Sequence, residues 1–188
     1  MAKKEEPMTI VVARYDDLTG GTRSWEGLRM IRKEQSRGER MEIRDAAVLT
    51  KTADGELKVR ETKDFGAGKG FITGAVVGGI IGIAAGPVGW AALGVGILGA
   101  LGAELRNKGF DEHRIKTMAS EMKPNSSAII VLVADQWVPE VKEEIGKQAT
   151  DVWTQGLSGD VIQHMEAKGD VTLPPEATAE PAKVAPRI

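Results

Sequence analysis

The amino-acid sequence predicts an α+β fold that is interrupted by a glycine-rich helical hairpin. Strand-like and amphipathic helical segments alternate on both sides of residues 65–105. Within that stretch, residues 70–103 carry no charged side chain, and 13 of the 23 glycines of the chain lie between positions 66 and 102. From position 169 onward the chain is rich in proline and alanine, which is typical of an extended or disordered tail. The chain therefore divides into a domain in two parts (8–64 and 106–168), an insert (65–105) and a tail (169–188).

A strand and a helix open the first part of the domain. Residues 8–15 are apolar and β-branched, which predicts a buried strand. Trp25, Leu28 and Ile31 recur at helical spacing among charged residues. This pattern predicts an amphipathic helix, and Gly38 is a suitable residue to end it.

A β-hairpin completes the first part. Two segments of alternating polarity, residues 46–52 and 57–63, flank an Asp-Gly pair at positions 54 and 55. Asp-Gly favours the tight turns that join antiparallel strands. We therefore expect strand, helix, strand, strand before the insert.

A helix and a strongly apolar strand follow the insert. The spacing i, i+3, i+4, i+7 of a helix face is occupied by Ile115, Met118, Ala119 and Met122. Residues 128–134 are continuously apolar and predict a buried strand. Outside the insert the order is strand-helix-strand-strand-helix-strand, which is that of the split βαβ, ferredoxin-like fold.

Three further elements are appended to this order. Pro139 suits the first turn of a helix. A short strand is expected at residues 151–154 and a last helix at residues 158–167.

Glycines recur at every fourth position in the first arm of the insert, where they lie along one ridge of a helix: Gly70, Gly74, Gly78, Gly82 and Gly86. The second arm repeats the pattern less regularly, with Gly94, Gly96, Gly99 and Gly102. Each glycine costs a helix about 1 kcal/mol relative to alanine. Close approach of another helix compensates this cost, so the ridge predicts packing against a partner surface.

The insert is short for a membrane-spanning hairpin. Pro87 divides the uncharged run into two arms, each about 16 residues or about 24 Å long at 1.5 Å per residue. The hydrocarbon core of a bilayer is about 30 Å thick. Basic residues flank the insert on both sides, at Lys63, Lys69, Arg106 and Lys108. Such flanks predict that both ends lie on the cytoplasmic side of the inner membrane.

These features predict a non-enzymatic protein that self-associates and enters the membrane through a glycine-zipper hairpin. Membrane lipid and further copies of the chain are the expected partners. One alternative is a soluble, cytoplasmic homo-oligomeric scaffold or shell whose hairpins are buried between subunits. Another is a small-ligand-binding or regulatory ferredoxin-like module, which would need convergent polar groups in a pocket.

Sites of other kinds are not expected. The chain contains no cysteine, which excludes disulfides and thiolate metal sites, and its net charge of −2 does not favour nucleic acid. Residues 65–70 lack the spacing of a phosphate-binding loop. His113 and His164 lack the spacing of metal ligands. Asp16-Asp17, between a strand and a helix, suits helix capping. We therefore expect no catalytic residue, no cofactor, no metal and no small-molecule substrate.

Three sequence segments resemble the bacterial DUF1269 family: MTIVVARYDDLTGG at the start, RDAAVLTKTADGELKVRETKD before the insert, and MKPNSSAIIVLV after it. The resemblance covers roughly residues 9–154 and includes the glycine-zipper insert. It implies a ferredoxin-like domain with a membrane-related hairpin. Because the family has no established function, the resemblance implies no catalytic residue.

Overall fold

The computed structural model describes residues 7–35, 40–55, 57–61 and 112–159. Five strands and three α-helices form in these ranges: β1 (Met8–Tyr15), α1 (Gly20–Glu34), β2 (Ile43–Lys51), β3 (Leu57–Glu61), α2 (Glu112–Ser120), β4 (Ser126–Ala134), α3 (Val138–Gly146) and β5 (Asp151–Leu157). A 3-10 turn, Asp135–Trp137, leads into α3. The α+β class predicted from the sequence is confirmed.

The strands form one antiparallel sheet in the order β3-β2-β4-β1-β5. β1 and β4 are central strands, and nearly every residue in them is buried. Their continuous apolar sequences suit this position, because both faces of a central strand can be covered. β3 and β5 lie at the two edges.

Two crossovers connect strands that run parallel to each other. β1 and β2 both pair antiparallel with β4, which lies between them, and α1 joins them along the chain. β4 and β5 both pair antiparallel with β1, and α3 joins those two. β3 pairs with β2 as a hairpin at the edge. The helix that joins the second pair of strands is therefore α3, whereas the sequence order had suggested α2.

One face of the sheet, which we call the first face, is covered by α1 and α3. α1 contacts β4, β1 and β2, and α3 contacts β1, β5 and α1. The buried cluster between them consists of Val11, Ala13, Tyr15, Trp25, Leu28, Met41, Ile43, Ala46, Val48, Ile129, Val131, Val133, Val141 and Ile145. The expectation that Trp25 and Leu28 face a core is confirmed.

The turn between β1 and α1 requires glycine at two positions. A Cβ atom at Gly20 would lie 2.4 Å from the Cβ of Tyr15, and one at Gly21 would lie 2.9 Å from the carbonyl oxygen of Ala128. The buried hydroxyl of Ser127 accepts a hydrogen bond from the Gly21 amide at 3.0 Å and donates one to the Asp17 carbonyl at 2.6 Å. These contacts hold the start of α1 against β4.

Some predicted boundaries change in the structure. β4 begins two residues earlier than expected, at Ser126, and β5 continues to Leu157 rather than ending at Thr154. α1 ends at Glu34, and Gln35 after it is extended, so the predicted helix end at residues 37–38 is wrong by about three residues. The insert, most of the predicted last helix and the tail lie outside the described residues.

Candidate functional site

The residues predicted to carry function lie outside the part of the chain that the structure describes. They are the glycines Gly70, Gly74, Gly78, Gly82, Gly86, Gly94, Gly96, Gly99 and Gly102, and the flanking residues Lys63, Lys69, Arg106 and Lys108. Their predicted roles therefore stay predictions. The chain leaves the described fold after β3 and re-enters it at α2, so both ends of this segment belong to one sheet domain.

The face of the sheet opposite α1 and α3, here called the second face, is a second apolar face that requires a cover. Side chains alternate between faces along a strand. Because Val11, Ala13 and Tyr15 belong to the cluster under α1 and α3, the intervening residues of β1 point to the second face. The strand pairing assigns the second-face apolar residues: Met8, Ile10, Val12, Ala47, Leu49, Ala128, Ile130, Leu132, Ala134, Trp153 and Leu157. Each is buried, with at most 7% of its surface exposed.

Charged side chains attach the end of α2 to one end of this face. Arg14 extends from β1 and forms an ion pair with Glu121, with 3.1 Å between Nη1 and Oε2. Lys51 extends from β2 and donates from Nζ to the carbonyl oxygen of Met122 at 2.9 Å. Met118 and Met122 are buried. Since Glu121 is half exposed, its ion pair contributes about 1 kcal/mol or less, and its main effect is to position α2.

A second polar network links the β1–α1 turn to the loop before β5. The Asp17 carboxylate accepts hydrogen bonds from the Thr19 amide at 2.8 Å and from Arg23 Nη2 at 2.9 Å. Arg23 also donates to Gln148 Oε1 at 2.8 Å. The hydrogen bonds from Thr19 and then Arg23 lower the pKa of Asp17 to about 2. Thr19 is the residue at the N-cap of α1, so Asp17 fastens the turn before the helix.

The described residues hold no cluster suited to metal chemistry. Across residues 7–35, 40–55, 57–61 and 112–159, no group of three or more His, Cys, Asp or Glu side chains could hold an ion. His113 is exposed on α2, and His164 lies beyond the described residues.

The described helices were also compared with the length and hydropathy that a membrane-spanning helix requires. None of those in the described ranges is both long and apolar enough to span a membrane.

The fold thus defines this protein as an α+β domain with a long segment between β3 and α2. The chain belongs to a family of proteins of unknown function, DUF1269, whose model matches residues 71–168, more than half of the sequence. The family assignment made from the sequence is confirmed. The match covers most of the insert and the third resembling segment, whereas the two earlier segments lie before residue 71. The match begins inside the insert and ends after the predicted last helix. No curated protein and no solved structure matches the chain.

The second face was not among the functional residues predicted from the sequence. The signal was present, because β1 and β4 are apolar at successive positions and such strands are buried on both faces. A pattern of this kind shows that a second cover is needed, but it does not identify the cover.

Proposed function

We propose that this protein is a non-enzymatic, self-associating protein that attaches to the membrane through its glycine-zipper hairpin. The main observation behind this proposal is the uncharged 34-residue run at residues 70–103, which has a glycine at every fourth position in its first arm. The run lies between β3 and α2 of one domain. Its partners are further copies of the chain and membrane lipid. The sheet domain lies on the cytoplasmic side of the inner membrane.

The platform for the hairpin is a ferredoxin-like domain. Its two split βαβ units are β1-α1-β2 and β4-α3-β5, and each unit has a strand of the other between its own two strands. β3 and α2 are additions between the two units. The insert thus leaves and re-enters at a junction between units, where it interrupts neither crossover.

The position of its two ends supports a hairpin, rather than a single crossing, as the form of the membrane attachment. β3 and α2 belong to the same domain, so the segment between them must return to the side it left. Lys63 and Lys69 precede the uncharged run, and Arg106 and Lys108 follow it. Positive residues on both sides of an apolar segment favour the cytoplasmic side for both ends.

The energetic cost of the glycine ridge supports self-association. Five glycines on one helical ridge cost about 5 kcal/mol relative to alanine, at about 1 kcal/mol each. Close contact between helices compensates such a cost through van der Waals packing, as in small-xxx-small interfaces of membrane helices. Ridges from several copies supply that contact in a homo-oligomer.

A soluble assembly is the second candidate, and the arm length favours it. Arms of about 24 Å are shorter than the hydrocarbon core of about 30 Å. Hairpins from several subunits would then be buried against each other in a shared protein core, with no lipid.

Fractionation of cells and light scattering with and without detergent test the two candidates. Membrane attachment predicts recovery in the membrane fraction and a defined oligomer only in detergent. A large, discrete, detergent-free particle in the soluble fraction would overturn membrane attachment and establish the soluble assembly. A soluble monomer would overturn both.

A pair of substitutions tests the ridge itself. Gly78 lies on the four-residue ridge and Gly79 lies beside it. We expect Gly78→Leu to reduce the oligomer to smaller species and Gly79→Leu to leave its size unchanged. An unchanged oligomer in both variants would show that the glycine ridge is not the contact surface.

A further inference from the structure

The second face of the sheet is too large for α2 to cover alone. Five strands spaced about 4.8 Å apart span about 20 Å, and the eight residues of β1 extend about 25 Å. A helix is about 10 Å across, and nine residues make it about 14 Å long. The first face uses two helices, α1 and α3. The second face is equally buried, so it too requires a second covering segment.

α2 lies at one end of this face. The chain at its C-terminal end contacts Arg14 and Lys51. Arg14 is the penultimate residue of β1, and Lys51 is the last residue of β2. The apolar residues on the β1–β5 side extend away from that point, through Val12 and Trp153 to Met8 and Leu157. Val12 and Trp153 are each 7% exposed, and Met8 is 2% exposed.

The chain leaves β5 beside this half of the face, at the end away from the contacts of α2 with Arg14 and Lys51. Leu157 pairs with Met8 and is buried on the second face. The described chain ends two residues later, at Gly159. With α1 and α3 already on the first face, a segment that turns back from Leu157 meets the second face.

The sequence that follows is amphipathic. At 100° per residue, Val161, Ile162 and Met165 fall within about 100° of one side of a helix. The opposite side carries Asp160, Gln163, His164 and Glu166. The family match also runs through residue 168 and ends where this pattern gives way to the proline- and alanine-rich tail.

We propose that residues 158–168 form a helix that docks on the β1–β5 half of the second face and closes the domain as three layers. Val161 and Met165 are its anchors. Eight residues of helix from Leu157 span about 12 Å, which brings Met165 over the Val12–Trp153 pair, about 14 Å along β5 from Leu157. This inference does not rest on the proposed self-association.

Thiol labelling of the full chain tests the assignment, because the protein has no cysteine of its own. The probe is Val12→Cys on the second face, and the control probe is Met30→Cys on α1, where the native side chain is 63% exposed. Each probe is placed in three backgrounds. The first is Val161→Asp plus Met165→Asp, and the second, its matched control, is Gln163→Asp. The third is Ile80→Asp plus Ile81→Asp in the insert. The measured quantity is the rate of reaction with an aromatic disulfide reagent.

We expect Val161→Asp plus Met165→Asp to raise the labelling rate of Val12→Cys at least tenfold and to leave Met30→Cys unchanged. Gln163→Asp and the insert pair should leave both rates unchanged. A rise only with the insert pair would overturn the proposal and assign the cover to the insert. No rise with either pair would overturn it in favour of α2 alone.

A crosslink keeps the test decisive if the double aspartate variant does not fold. Val12→Cys with Met165→Cys should form an intramolecular disulfide under mild oxidation, and Val12→Cys with Ile80→Cys should not. The reverse result would overturn the proposal. Neither pair of cysteine substitutions introduces a charged side chain, unlike the double aspartate variant.

Discussion

The hydroxyl of Tyr15 donates a 2.7 Å hydrogen bond to the carbonyl oxygen of Ile145, and both side chains are fully buried. Ile145 is the last residue but one of α3, so its carbonyl is among the four at the helix end without an intrahelical partner. Tyr15, at the end of β1, therefore satisfies the end of α3 while it fills the core between sheet and helix.

Tyr15→Phe should destabilise the domain by about 1–2 kcal/mol, because it leaves the buried Ile145 carbonyl without this donor. The ring and its packing are retained. Urea denaturation should show a lower midpoint with an unchanged slope. An unchanged midpoint would show that water or another donor replaces the hydroxyl at no cost.

The same tyrosine predicts an alkaline loss of stability. Burial raises the pKa of Tyr15 from 10.0 to about 12. Because the folded-state pKa is the higher one, its contribution is complete below pH 10 and is lost as the pH rises toward 12. In that window the unfolded chain binds fewer protons, and stability falls by about 1.4 kcal/mol per pH unit. Denaturation midpoints measured from pH 8 to 11 should show this fall, and it should be absent in Tyr15→Phe.

Alanine substitutions at the adjacent residues Ser126 and Ser127 should have different effects on stability. Ser127→Ala removes the acceptor of the Gly21 amide and the donor to Asp17, and should cost about 1–3 kcal/mol. The buried hydroxyl of Ser126 has no hydrogen-bond partner among the described residues. Ser126→Ala should therefore leave the unfolding free energy unchanged or raise it by about 1 kcal/mol. Equal losses in both variants, measured by urea denaturation, would contradict this difference.

Two glycines provide a matched test of close packing. At Gly20 an added Cβ would overlap the Cβ and ring of Tyr15 at 2.4 Å, so Gly20→Ala should cost about 2 kcal/mol or more. At Gly156 the nearest atom to an added Cβ is Thr9 Oγ1 at 3.9 Å, an ordinary contact. Gly156→Ala should be neutral or slightly stabilising, because alanine loses less backbone entropy on folding. Thermal unfolding of the two variants compares them directly, and similar melting temperatures would contradict the tight turn.

Much of the secondary structure could be predicted from local patterns. β1 and β4 are long apolar runs, the Asp54-Gly55 pair marks the hairpin, and Gly55 has the positive φ of 86° that this turn requires. The end of β5 was predicted too early because Gln155 and Gly156 are polar or small. They are tolerated there because β5 is an edge strand.

The order of the strands could not be predicted in the same way. α2 and α3 are both nine-residue amphipathic helices, and nothing in their own sequences shows which one joins neighbouring parts of the sheet. The choice depends on long-range pairing, in which β4 adds between β1 and β2. The second face escaped prediction for a related reason: its apolar residues come from four strands that meet only in the folded sheet.

The pairing of Met8 with Ala134 also sets the order of events during synthesis. These partners lie 126 residues apart in the sequence, and the whole uncharged run lies between them. β4 is the common neighbour of β1 and β2, so these two strands cannot join one sheet before β4 has left the ribosome, although β2 can already pair with β3. Translation proceeds at about 5–20 residues per second. The glycine-rich run therefore emerges seconds before the five-stranded sheet can form, and a membrane or a chaperone has the first opportunity to bind it.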